Sequence, residues 1–454
     1  MEIFPSIEAL LHYANTHLLL DELDYIYARN KILSLLSLDE FEEYEINLEE
    51  IEALSTPDDI LNTIVAYAVT NKLIADEKDK KQQFADKIMD CVLKRPGEMA
   101  DLFGGSSPSK AFEWLYDYGQ KSGYIRQPNK KWDAKATKGR FDIAFSGLDC
   151  TSSCACTDKK AQKIKYPSCK LCRDNEGFKK ELNKKSIPLE LDGERMFFNF
   201  KTRPVLQMQG QIVSQQHSPF VIDKKALSKM FDFACFMPGW VIGAVGAEHE
   251  SYITSSRLIP INKAPDIAKF KPKDYPYIAV TTAEWYVGTL RLVSTNKEKL
   301  IEYTDLILSR FKSLADGNTA AVSLYKKDTN FILELVLFNQ NTPIAKEFSN
   351  LSTFKCACNY LGAFRFDQTT EDLMAQIARF LTKEERFSPA KLEGEMGKHA
   401  DMIARLQASQ GGSKYTALEA SLEVKEEMGK TLEKALNSLN VPFVALDLIN
   451  GTEN

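Results

Sequence analysis

The side chains in this chain best suited to chemistry are sulfurs and imidazoles. Cys169 and Cys172 form a Cys-x-x-Cys pair, with Cys150, Cys154 and Cys156 a short way upstream. A Cys-x-x-Cys turn supplies two thiolates at the spacing of a tetrahedral zinc site, and the added upstream cysteines could complete a thiolate-rich one on their own. The remaining cysteines are Cys91, Cys235, Cys356 and Cys358, which brings the count to nine. An odd number behind an N-terminus with no basic-then-apolar leader points to reduced thiols in a cytoplasmic protein. There are only five histidines: His12, His17, His217, His249 and His399. Glu248 and Glu250 flank His249, and in a strand both would point away from it, as solvated carboxylates. No Walker, Rossmann or other Gly-rich phosphate loop is present, and the basic run from Lys159 to Lys165 reads as a solvated loop.

Such side chains need a scaffold, and composition says which kind. The 454 residues are 44% hydrophobic and 27% charged, the balance of a globular chain long enough for more than one domain. A net charge of -5 argues against nucleic acid as a partner. The longest apolar stretch, Phe231 to Ala247, is interrupted by Asp232, Pro238, Gly239 and Gly243 and falls short of the ~20 residues that span a bilayer, so no membrane association is expected.

Residues 1 to 125 read as helical, with Ile7, Leu10, Leu11, Ala14 and Leu18 at helical spacing. A faint duplication runs through them: Leu11 to Leu19 resembles Val65 to Leu73, and Ala28 to Ile32 resembles Ala85 to Ile88, as two stacked helical hairpins would. From about residue 139 strands take over, at Arg140 to Phe145, Met196 to Phe200 and Val205 to Val213. A helix follows at Lys224 to Phe236, then extended segments at Trp240 to Ala244, Arg257 to Ile261 and Tyr277 to Thr281. A similar unit starts near Gly288: a strand at Thr289 to Ser294, a helix at Lys297 to Leu314, and a hairpin of Ala320 to Tyr325 with Phe331 to Phe338. From Thr370 the chain is helical again. The division expected is 1–125, helical; 126–287, first α+β half with the Cys-x-x-Cys motif; 288–370, second half; and 371–454, helical.

Several of these segments resemble the class II galactose-1-phosphate uridylyltransferases of the histidine triad superfamily. They are Asp24 to Asn30; Phe84 to Met89 with Arg95-Pro96; Ser122 to Arg126; and, above all, Tyr166-Pro167-Ser168-Cys169-Lys170-Leu171-Cys172 followed by Asn175-Glu176-Gly177-Phe178. Leu189 to Phe200, Lys398-His399-Ala400 and Val424 to Leu436 extend the likeness to most of the chain. The resemblance implies an α+β fold of two histidine-triad-like halves with antiparallel sheets, flanked by helical N- and C-terminal regions. It implies a UDP-sugar or other nucleotide as ligand, a place in galactose metabolism and a homodimer.

It also implies a reaction. The family's histidine attacks the α-phosphorus of UDP-glucose, and the uridylyl-histidine then passes its group to a hexose 1-phosphate; imidazole suits both steps, being nucleophilic near neutral pH and a ready leaving group from a phosphoramidate. That histidine is second in a His-x-His motif followed by an aromatic residue and Gln-Gly-Gly. The corresponding stretch here is His249-Glu250-Ser251-Tyr252-Ile253, with Ser251 at the nucleophile's position and Ile253 at the glutamine's. The preceding segment, Gly243 to Glu248, is shorter than the family's phosphate loop. A serine without a base beside it is unreactive, and its phosphodiester would be a poor donor. The expectation is therefore a catalytically inactive relative that binds a nucleotide, a sugar phosphate or a protein. The alternatives are an active nucleotidyltransferase or hydrolase with altered chemistry and a purely structural protein.

The superfamily's structural zinc would fall here on Cys169, Cys172, His217 and His249, a Cys₂His₂ set with no open position for catalysis. The thiolate-rich set and free thiols remain alternatives. In the second half, Phe338-Asn339-Gln340-Asn341 replaces the family's Arg-Asn-Asn, and no histidine lies between Pro343 and Cys358. Cys356 and Cys358 read as small core residues at alternate strand positions, and His12, His17 and His399 as packing or surface residues.

Overall fold

The computed structural model describes residues 2–126, 130–145, 166–167, 169–178, 182–342, 356–366, 368–389, 397, 399–409, 411, 413–441 and 443–451. Cys150, Cys154, Cys156, the Lys159 to Lys165 run and Lys398 lie outside these residues, so the thiolate-rich alternative is not addressed by them.

The N-terminal region is helical, with α1 (Ile3–Leu18), α2 (Tyr25–Leu35), α3 (Leu48–Glu52), α4 (Asp58–Thr70), α5 (Lys78–Asp90), α6 (Pro96–Gly104) and α7 (Pro108–Lys121). The carbonyls of Ala14 in α1 and Ala68 in α4 accept the bonds that close each helix, from Leu20 and Leu73, beside the left-handed residues Leu19 and Lys72. α1 and α4 pack together.

A hairpin of β1 (Lys130–Ala136) and β2 (Gly139–Phe145) comes next, then β3 (Ile187–Leu191), β4 (Glu194–Phe200), β5 (Gly210–Ser214), α8 (Lys224–Phe236), β6 (Val241–Val245) and β7 (Ser251–Ser255). The pattern then repeats: β8 (Asp266–Phe270), β9 (Ala279–Ala283), β10 (Thr289–Ser294), α9 (Lys297–Leu314), β11 (Asn318–Lys327) and β12 (Asn330–Asn339). α8 and α9 coincide with the helices read from periodicity. Asp223 and Asn296 cap them, accepting from the Ala226 and Lys299 amides. The chain closes with α10 (Ala357–Tyr360), β13 (Ala363–Phe366), α11 (Gln368–Leu381), α12 (Ala400–Ser409), α13 (Ala417–Asn437) and α14 (Ala445–Asn450).

Ten strands form one sheet in the order β3-β4-β5-β7-β6-β11-β12-β10-β9-β8. Read inward from either edge, the order is the same: three meandering strands, then a hairpin added in reverse, with one helix between them. The fold is thus α+β with two like halves, joined where β6 runs antiparallel to β11 and Gly243 faces Ser323. β8 and β9 pair on the β10 side of the sheet, although the division at residue 288 assigns them to the first half. β1, β2 and β13 make a separate three-stranded sheet.

Both faces of the large sheet are covered. Ile212, Ile242, Tyr252, Leu324, Leu333 and Leu335 join α8, α9 and the N-terminal helices in one core; Val241, Ile253, Tyr325, Val336 and Phe338 join the small sheet and the C-terminal helices in another. Burial on this scale, at ~25 cal/mol per Å² of apolar surface, is what holds the layers together.

Two sequence readings are corrected. Arg257 to Ile261 is not a strand: it leads into a 3₁₀ turn, Pro260–Lys263, because Pro260 has no amide to offer a ladder. Cys356 and Cys358 are not on a strand either; Cys356 caps α10 and Cys358 lies within it, buried.

Candidate functional site: a Cys₂His₂ cluster beside strand β7

The Cys-x-x-Cys segment folds as a tight knuckle. The Cys172 amide donates to the Cys169 carbonyl, and the Leu171 amide donates to the Cys169 sulfur at 3.3 Å. Asn175 pins the turn, its side-chain amide reaching the carbonyls of Cys169 (2.7 Å) and Cys172 (3.0 Å). The Glu176 carboxylate accepts from the Ser186 amide at 2.7 Å, and Gly177 takes the left-handed φ of 73° that turns the chain. The Asn-Glu-Gly run therefore has a structural reason: it shapes the knuckle and ties it to the start of β3.

His217 and His249 approach from the sheet. His217 follows β5 and His249 precedes β7; Phe220 and Ala247 exchange both backbone hydrogen bonds, at 2.7 and 3.1 Å, which holds the two loops side by side. His249 is fully buried, and its Nε2 is 3.2 Å from the Ser214 carbonyl, so Nδ1 faces the sulfurs. Cys169 Sγ lies 3.2 Å from His249 Nδ1 and 3.5 Å from Cys172 Sγ; Cys172 Sγ lies 3.6 Å from His217 Nδ1 and 3.7 Å from His249 Nδ1. All four ligand atoms fall within 4.8 Å of one another.

These separations are those of a tetrahedron's edges. Zinc bonds of about 2.3 Å to sulfur and about 2.0 Å to nitrogen give edges of about 3.8 Å between sulfurs and about 3.6 Å between sulfur and nitrogen. The carbonyl on Nε2 fixes the tautomer that leaves Nδ1 free to ligate. The hydrogen bond with the Cys169 sulfur and burial push the Cys172 thiol up to about 11. A zinc ion would reverse that by stabilising thiolate. The cluster can hold a metal, and the sequence-matched residues Cys169, Cys172, His217 and His249 are the ones the fold brings together. Cys356 and Cys358 lie apart from it: the Cys358 sulfur accepts from the side-chain amide of buried Gln209 at 3.3 Å.

Ser251 opens β7, opposite Val213 of β5. It is half-buried, and among the described residues no side chain hydrogen-bonds its hydroxyl. Glu250, read from sequence as solvated, is instead an anchor. Its carboxylate takes Lys229, almost wholly buried, at 2.7 Å and the Tyr252 hydroxyl at 2.6 Å. Burial and that carboxylate raise the Tyr252 pKa steeply. Two residues beyond Ser251, Ile253 is packed in the second core, and a side chain on Gly243 beside it would come within 2.9 Å of a Leu361 methyl. Asn199, on β4 opposite Gln211, is buried with its side-chain nitrogen unpartnered, while Gln211 is held by Lys201.

The second half has a different centre that sequence reading missed. Glu334 of β12 is fully buried, held by Arg291 at 3.2 Å and Asn262 at 3.0 Å. Arg291 also binds Asp266 (2.6 Å) and the carbonyls of Ala264 (2.9 Å) and Ile261 (3.2 Å), and Asn262 donates to Ser323 at 2.8 Å. This network clamps the 259–266 loop onto the sheet. Burial pushes Glu334 up to about 7 against the opposing pull of Arg291. The signal was there: a lone Glu in Phe331 to Phe338 and a lone Arg in Thr289 to Ser294, each inside an apolar strand.

His12 and His17 contact Glu52 at the surface of the helical region. His399 accepts the first bond of α12 through its carbonyl, from Ile403. No helix among the described residues is long and apolar enough to cross a membrane.

Comparison with known proteins finds relatives in sequence. No family model matches the chain. Galactose-1-phosphate uridylyltransferase of Clostridium acetobutylicum is 28% identical over 374 residues, covering 74% of this chain and 74% of that protein. The enzyme of that name from Fusobacterium nucleatum is 25% identical over 97% of this chain and 96% of its own length. Among solved structures, yeast Ap4A phosphorylase in complex with AMP aligns at 10% identity and a TM-score of 0.35, over 60% of this chain and 93% of that one, too slight a likeness to bear on function. The chain is a divergent homologue of the galactose-1-phosphate uridylyltransferases along nearly its whole length.

Proposed function

We propose that this chain is a catalytically silent uridylyltransferase homologue, stabilised by a structural zinc on Cys169, Cys172, His217 and His249, that acts through binding rather than turnover. What supports the reading is Ser251: it stands two residues after His249, where the resemblance puts the family's attacking imidazole, and among the described residues no side chain hydrogen-bonds its hydroxyl. A uridylyl group on serine would be a stable phosphodiester, so the second transfer step would fail even if the first occurred. His249 does not substitute, because its ring is wholly buried with one nitrogen on a carbonyl and the other turned to the sulfurs. With four protein ligands the zinc would have no open position and would serve the fold. A homodimer belongs to the same reading, and so does a division into two halves, expected at 126–287 and 288–370, for which the strand order favours a boundary before β8 instead.

The test is transfer from radiolabelled UDP-glucose to galactose 1-phosphate, with intact-mass detection of a uridylyl adduct. Neither label transfer nor adduct is expected. Steady turnover by purified protein that is abolished in Ser251→Ala would overturn the proposal.

The unpartnered Asn199 amide favours a second element, retained nucleotide binding: it is a buried donor on the same face of the sheet as Ser251, Gln211 and Lys201. Calorimetry with UDP, on the native chain and on Asn199→Leu, separates a binding relative from one whose cleft has closed.

A further inference from the structure

A groove of ≈ 450 Å³ lies between the β1–β2 hairpin and the 260–265 loop, away from the Cys₂His₂ cluster. Its walls carry Asp133, Arg140, Asp142 and Lys138 from the hairpin, Lys263 from the loop, and Glu284. Three acids and three bases would ordinarily pair off, and here they do so only in part. Arg140 takes Asp133 at 2.6 Å, and Lys138 donates to the Trp285 carbonyl at 2.9 Å. Among the described residues the side chains of Asp142, Glu284 and Lys263 make no hydrogen bond or ion pair, although the charges of Lys263 and Lys131 act on Asp142.

Asp142 is the telling residue. It sits directly across the ladder from Asp133, a like-charge pair that costs stability unless a cation intervenes. Arg140 is spent on Asp133. Asp142 is half-buried, and burial raises its carboxyl above the ordinary range while the Lys263 charge only partly offsets this. Lys263, on the facing wall, is the complementary unpaired charge. Opposite charges across a gap of this size, within the range of small-molecule sites, suit a ligand that bridges them.

We infer that this groove binds a small zwitterion, which presents an ammonium to Asp142 and Glu284 and a carboxylate or phosphate to Lys263. The site is separate from Ser251, and it stands whether or not the chain turns over nucleotide sugars.

The experiment is calorimetric titration of the full chain with O-phosphoethanolamine and with β-alanine, alongside ethanolamine and inorganic phosphate as half-ligands. At least one zwitterion is expected to bind with a Kd of about 1 mM or tighter, and each half-ligand at least about tenfold more weakly. Which zwitterion binds better assigns the anionic group. Asp142→Asn and Lys263→Met should each weaken binding about tenfold or more with melting unchanged. Lys263 is exposed, so its variant reports even if Asp142→Asn folds poorly. No binding of either zwitterion, equal affinity for a half-ligand, or undiminished binding by the Lys263→Met chain would overturn the inference.

Discussion

The two halves of the large sheet share a strand order and differ in what fastens them. In the first half a knuckle is bound to the sheet by two sulfurs and two imidazoles gathered at the end of β5 and β7. In the second half a loop is bound to the sheet by a buried Glu334–Arg291 pair in the middle of β10 and β12. Both solutions fix a crossing segment against a pleated face that backbone hydrogen bonds alone leave bare. One relies on ligands suited to a metal, the other on charge. A duplicated backbone therefore constrains where a fastening is needed, not which chemistry supplies it.

Breaking the first fastening should have the largest effect. Cys172→Ser, or exhaustive chelation, removes a ligand from the cluster and with it the metal's share of folding energy, several kcal/mol for structural zinc. The measurements are metal content by mass spectrometry and unfolding in urea. One equivalent of zinc in the native chain, absent in the variant, with a markedly lower midpoint, is expected; metal-free native protein with unchanged melting would show that the first half is held by packing alone.

Glu334→Ala attacks the second. It leaves Arg291 buried with only Asp266 and carbonyls to satisfy it, and removing one member of a buried pair costs about 3–5 kcal/mol. Glu334→Gln keeps the shape and sharpens the comparison through pH. A carboxyl raised from 4.5 to about 7 on folding holds a proton in the native state that the unfolded state has released. Its stabilising contribution is thus complete below about 4.5 and is lost as pH rises through about 7. Stability measured across that window should fall with pH in the native chain by more than in Glu334→Gln. Equal slopes would place the Glu334 proton outside the balance.

How far these fastenings could be read in the sequence differs between the halves for the same reason. The Cys169, Cys172, His217 and His249 set was readable because its ligand types are scarce and its knuckle is local, closed by Asn175 within six residues. The Glu334 network was not, since its members come from β8, β10, β11, β12 and the 259–266 loop, and only the sheet order makes them neighbours. α8 and α9 were legible to the residue because an amphipathic period and an N-cap coincide there. Arg257 to Ile261 misled because its alternation suits a strand, while its Pro260 and the docking of Asn262 onto Glu334 select a turn. Glu250 misled because its partner, Lys229, lies on a different element.

The join between the halves offers a finer test. Gly243 and Ser323 face each other across β6 and β11, and only Ser323 has a side chain, which the Asn262 amide uses. A methyl on Gly243 would meet Leu361 at 2.9 Å and Ile253 at 3.1 Å. Both contacts are to flexible side-chain carbons, so Gly243→Ala should cost about 1–3 kcal/mol of overpacking rather than abolish folding. Thermal unfolding checks it, and a neutral result would mean that Leu361 moves aside readily.

Ser251→Ala should do least of all, and its smallness is informative. Ser251 is half-buried at the start of a strand, without a hydrogen-bond partner among the described residues. Removing its hydroxyl leaves no buried group unpaired, so the change in unfolding free energy should stay within about 0.5 kcal/mol. A residue kept for the fold would lose more; one kept for chemistry would lose activity instead. Denaturation combined with a uridylyl-transfer assay distinguishes the cases. A variant equal to the native chain in both would mark Ser251 as a position released from both demands, whereas Glu250 on one side and Tyr252 on the other remain held by Lys229 and by each other.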